Sequence, residues 1–386
     1  MRITYLVGTL ERGGVERLVV DWVDRFRHRH ECSLICLLGK RGPLVQQLES
    51  VGIRVLDFER HPRDPRFVLE LSRLLRQLGP ELVHSQCAWS LPQQVLATKL
   101  GGAKGFVLTV HSTYGMAGPI ARSRRLIGAG LSRRWIDAVV GVSRAVSEWS
   151  EEWLQLPSGS VLTIPNGIDP NRDSGLAVQR VTVEPSPCQG PNTQVLMAVG
   201  SLTEHKDHRT LLEAVAGLTE MGLDVACLIV GTGPLEQTLR AMAAELGLTD
   251  RVRFLGARDD VPALMKEADL FVHPSTREGF GLVVAEAHAA GLPVVATDVG
   301  GVREIVRDGV SGYLVAPGDA DGMTKALSRL LADRELQSEM GSLGREWVQE
   351  LYTVELCTRR YEELYAAVLS SEDRRSENLM NPKEPG

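Results

Sequence analysis

Short apolar runs alternate with longer segments of helical period along the first 170 residues. The runs rich in Val, Ile and Leu are RITYLVG, CSLICLL, IRVLDF, ELVHSQ, FVLTVH, AVVGVS and VLTIPN. Most of the longer segments between them carry apolar residues at helical spacing, as GVERLVVDWVDRF does. Short, nearly continuous apolar strands separated by helices are typical of a parallel sheet covered on both faces. The pattern predicts a doubly wound α/β domain over residues 1–170.

The alternation stops between residues 169 and 193 and then resumes. This interval is rich in Pro, Gly, Ser and Asn, so we expect a linker over 171–193. The next apolar runs are VLMAVGSL, DVACLIVG, RVRFLG, DLFVHP, PVVAT and GYLV. They predict a second Rossmann-like domain over 194–352. We expect a C-terminal helix over 353–370 that packs towards the first domain, and a disordered tail over 371–386.

This organisation also predicts where a ligand binds. Ligands of open α/β sheets lie beyond the carboxyl ends of the strands. We therefore expect the fold class to be α/β, with two doubly wound parallel-sheet domains that face each other across a cleft, and a binding site in that cleft.

Composition is that of a globular protein. The 386 residues are 43% hydrophobic and 24% charged, and are sufficient for two domains. The stretch after Met1 lacks the apolar core of a signal peptide, and no apolar run is as long as a transmembrane helix. The six cysteines show no paired metal-ligand spacing. We therefore expect a cytoplasmic protein with reduced thiols.

Charge is divided unevenly between the two halves. The net charge is −6, but residues 1–170 hold 22 basic and 16 acidic residues, whereas the remainder holds 21 and 33. No acidic residue occurs from Ser112 to Ile136. The segment ARSRRLIGAGLSRRWID within this range contains Arg122, Arg124, Arg125, Arg133 and Arg134.

A basic amphipathic segment of this kind can bind an anionic membrane surface. Peripheral contact with the inner face of the membrane is therefore one prediction, and a solvated helix on the first domain is its alternative. Nucleic-acid binding is not expected, because stacking aromatic residues are scarce and no nucleic-acid motif occurs.

The segment EGFGLVVAEAHAAGLPVVAT carries the strongest chemical signal. Its glutamates Glu278 and Glu286 stand eight positions apart around a glycine-rich helix start. The free backbone amides and the dipole at such a start favour phosphate. A carboxylate beside the phosphate would repel it, so we expect Glu278 to face hydroxyl groups and Glu286 to bind a diol. A diphosphate flanked by two polyols describes a nucleotide sugar.

This segment resembles the donor-binding signature of the family 4 (group 1) retaining glycosyltransferases, which have the two-domain GT-B fold. Further matches follow in the family's order along the chain: GGVERLV, TVHS, IPNGID, VGSLTEHKD and IVGTGP. The resemblance covers residues 1–370 and implies the fold and the type of reaction, but not the substrates.

The resemblance implies roles for individual residues. His111 and Glu278 would be the catalytic residues that contact the transferred sugar. Glu286 would hold the nucleotide ribose, and Ala257 and Arg258 would contact the base. The donor diphosphate would be bound by Gly13, Gly14, Ser201, Lys206, Phe280, Gly281 and Leu282.

One position departs from the family pattern. The family often has an arginine in a Gly-Arg-Leu triplet where this chain has Gly200-Ser201-Leu202. A serine hydroxyl can bind phosphate but supplies no charge. Either Lys206 carries the clamp with backbone amides, or Arg209 or Arg258 compensates.

The expected reaction moves a hexose-type sugar, with retained configuration, from a UDP- or GDP-sugar to a glycan or lipid-linked acceptor. Lys206 would neutralise the departing diphosphate as a point charge. We expect no metal and no other cofactor. A nucleotide-sugar epimerase on the same architecture and a catalytically idle sugar-nucleotide-binding protein remain as alternatives.

Overall fold

The computed structural model describes residues 1–11, 13–39, 42–113, 135–170, 190 and 192–380, without the side chains of 372–380. It divides the chain into two compact units. The first contains Met1–Gly167 and the C-terminal helix that begins at Val354, and the second contains Ile168–Thr353. The first unit ends at Gly167, three residues before the end predicted for the first domain. Ile168 belongs to the second unit because its amide donates to the carbonyl of Tyr352 at 2.8 Å.

The first unit is a parallel sheet with helices between its strands. The strands are β1 (Arg2–Val7), β2 (Glu31–Cys36), β3 (Arg54–Asp57), β4 (Leu82–Ser85), β5 (Gly105–Val110), β6 (Ala138–Gly141) and β7 (Leu162–Thr163). The helices are α1 (Gly14–Phe26), α2 (Leu44–Ser50), α3 (Phe67–Leu78), α4 (Leu91–Gly101) and α5 (Arg144–Leu154). The strand order is β3-β2-β1-β4-β5-β6-β7, so the direction of winding reverses between β1 and β4.

Apolar periodicity explains how α1 covers this sheet. Leu18, Val19, Trp22, Val23 and Phe26 recur every three or four positions and are all buried. The central strand β5 is buried at all six positions, as expected of a parallel strand covered on both faces.

The second unit repeats the architecture. Its strands are β8 (Gln194–Val199), β9 (Val225–Val230), β10 (Val252–Gly256), β11 (Leu270–His273), β12 (Val294–Thr297) and β13 (Gly312–Val315). Its helices are α6 (His208–Glu220), α7 (Glu236–Glu245), α8 (Val261–Lys266), α9 (Leu282–Ala290), α10 (Val302–Ile305), α11 (Ala320–Leu331) and α12 (Arg334–Leu351). All strand pairs are parallel in the order β10-β9-β8-β11-β12-β13, and the winding reverses between β8 and β11. The predicted fold class, two doubly wound α/β domains, is confirmed.

The last helix, α13 (Val354–Met380), groups with the first unit. Its Tyr361 and Tyr365 are fully buried, and their hydroxyls bond Thr109 at 2.9 Å and His84 at 2.6 Å. These bonds satisfy polar groups that would otherwise be buried without partners. Because α13 continues to Met380, the expectation of a disordered tail is wrong for residues 371–380.

Two predicted features fall largely or wholly outside the described residues. They are the linker, of which 171–189 and 191 are not described, and the five arginines of the basic segment. Among the helices that are described, none combines the length and the apolar composition needed to cross a membrane.

Candidate active site

The predicted donor residues of the second unit lie at the point where its sheet reverses. The loop after β8 contains Ser201 and Lys206, and the loop after β11 contains Glu278. Because β8 and β11 are neighbours whose following connections run in opposite directions, their carboxyl ends border the crevice where ligands of doubly wound sheets bind.

The loop after β8 is held by the glycine-rich turn after β9. The amides of Gly200 and Leu202 donate to the carbonyls of Val230 at 2.9 Å and Thr232 at 3.0 Å. A Cβ on Gly231 would lie 1.9 Å from the Gly200 carbonyl oxygen, so only glycine permits this approach. The glycine-rich turn in IVGTGP therefore supports the loop that carries Lys206.

Glu278 accepts three hydrogen bonds on one carboxylate oxygen. The ammonium of Lys206, the Nε2–H of His273 at 2.9 Å and the hydroxyl of Ser275 at 3.1 Å all donate to Oε1. The side chains of Glu278 and Lys206 are 14% and 18% exposed. Burial acts to raise the pKa of the Glu278 carboxyl, but the hydrogen bonds and charges of His273 and Lys206 outweigh it and hold this pKa well below its usual range.

Sequence reasoning identified Lys206 and Glu278 but did not identify their contact, and it missed His273 and Ser275. The only available signal was their position in FVHPS, at the end of a strand on the predicted ligand edge. A histidine at such a position is not distinguished by sequence alone from one that serves packing.

The start of α9 is shaped for backbone contacts. Gly281 is its N-cap residue with φ +100°, a left-handed conformation that favours glycine, and a glycine N-cap has no side chain with which to cap the first amides. The Phe280 ring is buried against Tyr352 at a centroid distance of 5.5 Å, so the predicted contact of Phe280 with phosphate would use its backbone. Gly300 allows the next loop to approach, since a Cβ there would lie 1.8 Å from the Glu278 carbonyl oxygen.

Glu286 is half-buried on α9, one turn after Leu282. Side chains four positions apart lie on the same side of a helix. Glu286 therefore projects from the same side of α9 as Leu282, whose backbone amide is part of the predicted diphosphate contact. Its opposite side is buried through Val284, Ala285 and His288.

The candidates for replacing the missing arginine differ in their surroundings. Arg258 makes a bidentate pair with Asp260, with bonds of 2.8 and 2.6 Å. This pairing argues against Arg258 as the compensating charge, although a contact with the base through this loop stays a prediction, as it does for the exposed Ala257. Arg209 is exposed in the first turn of α6, and Ser201 is exposed beside Thr203.

In the first unit, His111 follows β5 and Gln86 follows β4. The Nε2 of His111 lies 2.7 Å from the Oε1 of Gln86, which accepts only, so Nε2 carries the proton. Nδ1 is buried and finds no partner within the described chain. Burial lowers the pKa of His111 to about 4, so the imidazole is neutral at pH 7 and presents Nδ1 as an acceptor. Gln86 was not identified from the sequence.

Gly13 and Gly14 are exposed where α1 begins, but a carboxylate lies beside them. A Cβ on Gly13 would lie 2.1 Å from the Oε2 of Glu16, whose side chain folds back over the helix start. Burial raises the pKa of Glu16. A phosphate at these glycines would therefore have to displace Glu16 or lie to one side of it.

No group of three or more His, Cys, Asp or Glu side chains is placed to hold a metal ion in the part of the chain that the structure describes. The triplet Asp319-Ala320-Asp321 has the D-x-D spacing of some metal sites. Its first carboxylate instead caps α11 by accepting from the amide of Gly322 at 2.8 Å.

Comparison with known proteins identifies the class that this fold and site define. Residues 12–172 match the family described as Glycosyltransferase Family 4, and residues 189–347 match Glycosyl transferases group 1. The chain is 30% identical over 358 residues to the GDP-mannose-dependent alpha-(1-6)-phosphatidylinositol monomannoside mannosyltransferase of Mycobacterium tuberculosis, covering 87% of this chain and 90% of that protein. It is 31% identical over 292 residues to the N-acetyl-alpha-D-glucosaminyl L-malate synthase of Bacillus anthracis, covering 74% and 72%.

A solved structure shows the same fold. The Anabaena protein Alr3699/HepE, crystallised with UDP, superposes with a TM-score of 0.80 at 23% identity, covering 95% of this chain and 100% of that one. The protein is thus a two-domain glycosyltransferase with parallel-sheet units. More narrowly, the chain belongs to the group 1, family 4 glycosyltransferases, as the motifs predicted.

Proposed function

We propose that this glycosyltransferase moves a hexose-type sugar from a UDP- or GDP-sugar to a glycan or lipid-linked acceptor, with retained configuration and without a metal ion. The observation that carries the proposal is the Lys206–Glu278 pair at the reversal point of the second sheet. It combines a cation for the diphosphate with a carboxylate for sugar hydroxyls, and the carboxylate lies three residues before the glycine N-cap of α9.

On the diphosphate side, Lys206 is the proposed charge. Its ammonium has three donors, so it can bond an oxygen of the departing diphosphate while it remains near Glu278. The hydroxyl of Ser201 and the amides of residues 280–282 would add neutral donors, with Gly13 and Gly14 as further backbone contacts. These donors act most strongly as negative charge develops on the leaving group.

On the sugar side, Glu278 and His111 would bind hydroxyl groups. The three bonds to Oε1 leave Oε2 as the acceptor for a ligand, and the neutral His111 offers Nδ1. Both groups accept rather than donate, which suits hydroxyl protons of a sugar whose ring gains positive charge as the bond to diphosphate breaks.

For the nucleotide, Glu286 would accept from the ribose diol, and the loop of Ala257 and Arg258 would contact the base. The mycobacterial relative is named for GDP-mannose and the Anabaena protein was crystallised with UDP, so both bases are candidates. The name of the mycobacterial relative also includes a phosphatidylinositol mannoside, which supports a lipid-linked acceptor.

Retention would follow from attack on the face that the diphosphate leaves. The acceptor oxygen forms its bond to the anomeric carbon as the bond between that carbon and the diphosphate oxygen breaks. The proton of the acceptor hydroxyl passes to a phosphate oxygen. This route rests on the resemblance to the retaining family. The anomeric coupling constants of the donor and of the product, measured by proton NMR, test it.

The direct test is incubation with radiolabelled UDP- and GDP-sugars, chosen first by thermal shift, together with lipid-linked and glycan acceptors. Label in the acceptor supports the proposal. Conversion of the donor to its epimer would identify an epimerase, and a thermal shift without turnover would identify an idle binding protein. We expect the transfer rate in EDTA to stay within about twofold of the rate without it, since Lys206 and backbone amides would take the role that a metal ion has in other sites. A large loss of rate that Mg²⁺ or Mn²⁺ restores would refute metal independence.

A further inference from the structure

The hydrogen bonds of Glu278 are unevenly distributed over its two oxygens. Lys206, His273 and Ser275 all donate to Oε1, and no described residue donates to Oε2. A carboxylate that is fixed through one oxygen keeps the lone pairs of the other available for a ligand. The three donors therefore determine where Oε2 points.

Lys206 alone is poorly suited to this task. In the proposed function the same ammonium must also bond the departing diphosphate. If it were the only partner of the carboxylate, each turnover would weaken the contact that holds Glu278. His273 ends the strand before the loop that carries Ser275 and Glu278, and neither His273 nor Ser275 has such a second role.

His273 is itself rigidly held. It is the last residue of β11 and is 2% exposed. The hydroxyl of Thr297, at the end of the neighbouring β12, donates to the carbonyls of His273 at 3.4 Å and of Ser275. The ring of Phe271 stacks against the imidazole with 15° between their planes. Packing therefore fixes the direction of Nε2 before any ligand binds.

We propose that His273 is a positioning residue, whose Nε2–H holds Oε1 of Glu278 so that Oε2 faces the transferred sugar while Lys206 engages the diphosphate. The proposal rests on the function proposed above and adds a residue to its sugar subsite. Ser275 is the weaker partner, because a hydroxyl can rotate away and lies at the longer distance of 3.1 Å.

Other titratable groups near the carboxylate do not duplicate this role. The exposed Arg277 interacts electrostatically with His205, as does Glu278 itself. Burial and the charges of Lys206 and Arg277 lower the pKa of His205 despite the opposing effect of the carboxylate. His208 is buried, and burial with the neighbouring charges lowers its pKa to about 4, so it is neutral at pH 7. Of the titratable residues that the structure describes, only His273 and Lys206 donate hydrogen bonds to Glu278.

The matched variants are His273→Gln and His273→Leu. The amide nitrogen of glutamine can take the place of Nε2 and still donate, whereas leucine fills similar space without a donor. His273→Asn serves as a second donor-less test if the leucine variant does not fold, because its amide is one bond too short to reach Oε1.

The first measurement does not depend on activity. The carboxyl carbon of Glu278 is titrated by NMR in protein labelled with ¹³C at glutamate, and its signal is assigned by its loss in Glu278→Gln. We expect the apparent pKa to rise by about 1 or more in His273→Leu and in His273→Asn, and by less in His273→Gln. Equal titrations in all variants and the wild type would overturn the proposal.

The second measurement uses turnover. We expect kcat to fall by about 10- to 100-fold in His273→Leu and by less than about 5-fold in His273→Gln, with KM for the donor changed by less than about 3-fold. The acid limb of kcat/KM should move to higher pH in the leucine variant, and by less in the glutamine variant. In a Glu278→Gln background the leucine and glutamine variants should have the same rate, since His273 then has no carboxylate to position.

The outcomes separate the two proposals. Equal losses of kcat in the glutamine and leucine variants, or unequal rates in the Glu278→Gln background, would show a role in packing and overturn the positioning role. If the wild type transfers no sugar but the carboxyl titrations differ as expected, the proposed function fails and the hold of His273 on Glu278 stands.

Discussion

Replacing Lys206 with methionine tests the contact on which the site depends. Methionine keeps most of the length and apolar volume of lysine but removes the ammonium. Glu278 is then a largely buried carboxylate, 14% exposed, without its cationic partner. Removing one member of a buried pair is destabilising because the other charge remains desolvated.

The size of the effect follows from the surroundings of Glu278. An opposite charge in contact lowers the pKa of a carboxyl by about 1–3, and each pKa unit corresponds to about 1.4 kcal/mol. If the pair were completely buried, removing one partner would lower the free energy of unfolding by about 3–5 kcal/mol. Because His273 and Ser275 still donate to Oε1, and the pair is partly exposed, we expect a loss of about 1.5–2.5 kcal/mol in the free energy of unfolding at pH 7.

The effect should depend on pH with a definite sign. The folded pKa of Glu278 lies below its ordinary value, so its charge contributes stability above about pH 4.3, and this contribution is lost as the pH falls towards the folded pKa. The unfolded state titrates alike in both proteins, so the difference in stability between the wild type and Lys206→Met should stay near its neutral-pH value until the pH falls to the folded pKa of Glu278 in the variant, and shrink below it.

Urea denaturation measured by ¹⁹F NMR of fluorotryptophan gives this difference for the second unit. Trp347 is the one tryptophan that the sequence places in 168–353, so its signal follows that unit separately. The control is Arg303→Met, which breaks the pair with Asp298, whose side chains are 57% and 45% exposed. Exposed ion pairs contribute little to stability, so the free energy of unfolding of the control variant should fall by less than about 1 kcal/mol.

Two results would refute this reasoning. A loss at pH 7 no larger than that of Arg303→Met would mean that the Lys206–Glu278 contact contributes no more than a surface pair. A loss that does not diminish below the folded pKa of Glu278 in the variant, as read from the NMR titration of its carboxyl carbon, would mean that the effect does not arise from the Glu278 charge. In active protein, Lys206→Met should also lower kcat by a larger factor than it weakens binding of the uncharged nucleoside, and equal factors would contradict its proposed role on the diphosphate.

Two further predictions concern other parts of the chain. Glu286→Ala should raise the Kd for free UDP or GDP by about 10- to 150-fold in isothermal calorimetry, because a charge-assisted bond of about 1.5–3 kcal/mol is lost; an unchanged Kd would remove the ribose assignment. Substituting Arg124, Arg125, Arg133 and Arg134 with Ser should release the protein from anionic vesicles in a flotation assay, since each arginine contributes about 1 kcal/mol, while nucleotide binding stays intact. Equal binding of the wild type to neutral and anionic vesicles, or to neither, would contradict membrane contact through charge.

The strands were predictable because parallel strands covered on both faces need continuous apolar sequence. VACLIV in β9 is buried at all six positions, and its apolar run ends where the strand ends. The end of α13 was predicted less well, because the polar residues after 370 are typical of a tail. Helix formation does not require apolar residues on every turn, and the sequence from Val354 to Asn381 contains no glycine or proline. The helix ends at Met380, two residues before Pro382.

The site was predictable by position but not by hydrogen bonding. Strand ends and glycine-rich turns placed Lys206 and Glu278 on the ligand edge, since the backbone determines both features. The bond between His111 and Gln86 joins residues that follow different strands. The bond from His273 to Glu278 determines which oxygen of the carboxylate is occupied. Such choices depend on rotamers and tautomers that only tertiary packing decides.

Each unit has a glycine-rich helix start beside its point of winding reversal, yet only one suits an anionic ligand as it stands. In the first unit the glycines after β1 begin α1, and the Glu16 side chain folds over Gly13. In the second unit the carboxylate after β11 is held through Oε1 by Lys206 and His273, three residues before the glycine N-cap of α9. A carboxylate over a helix start satisfies its amides and repels phosphate, whereas a carboxylate held to one side leaves them available. This difference in where a glutamate is anchored is a physical reason to place the main diphosphate contacts of the proposed function in the second unit, with Gly13 and Gly14 in a secondary role.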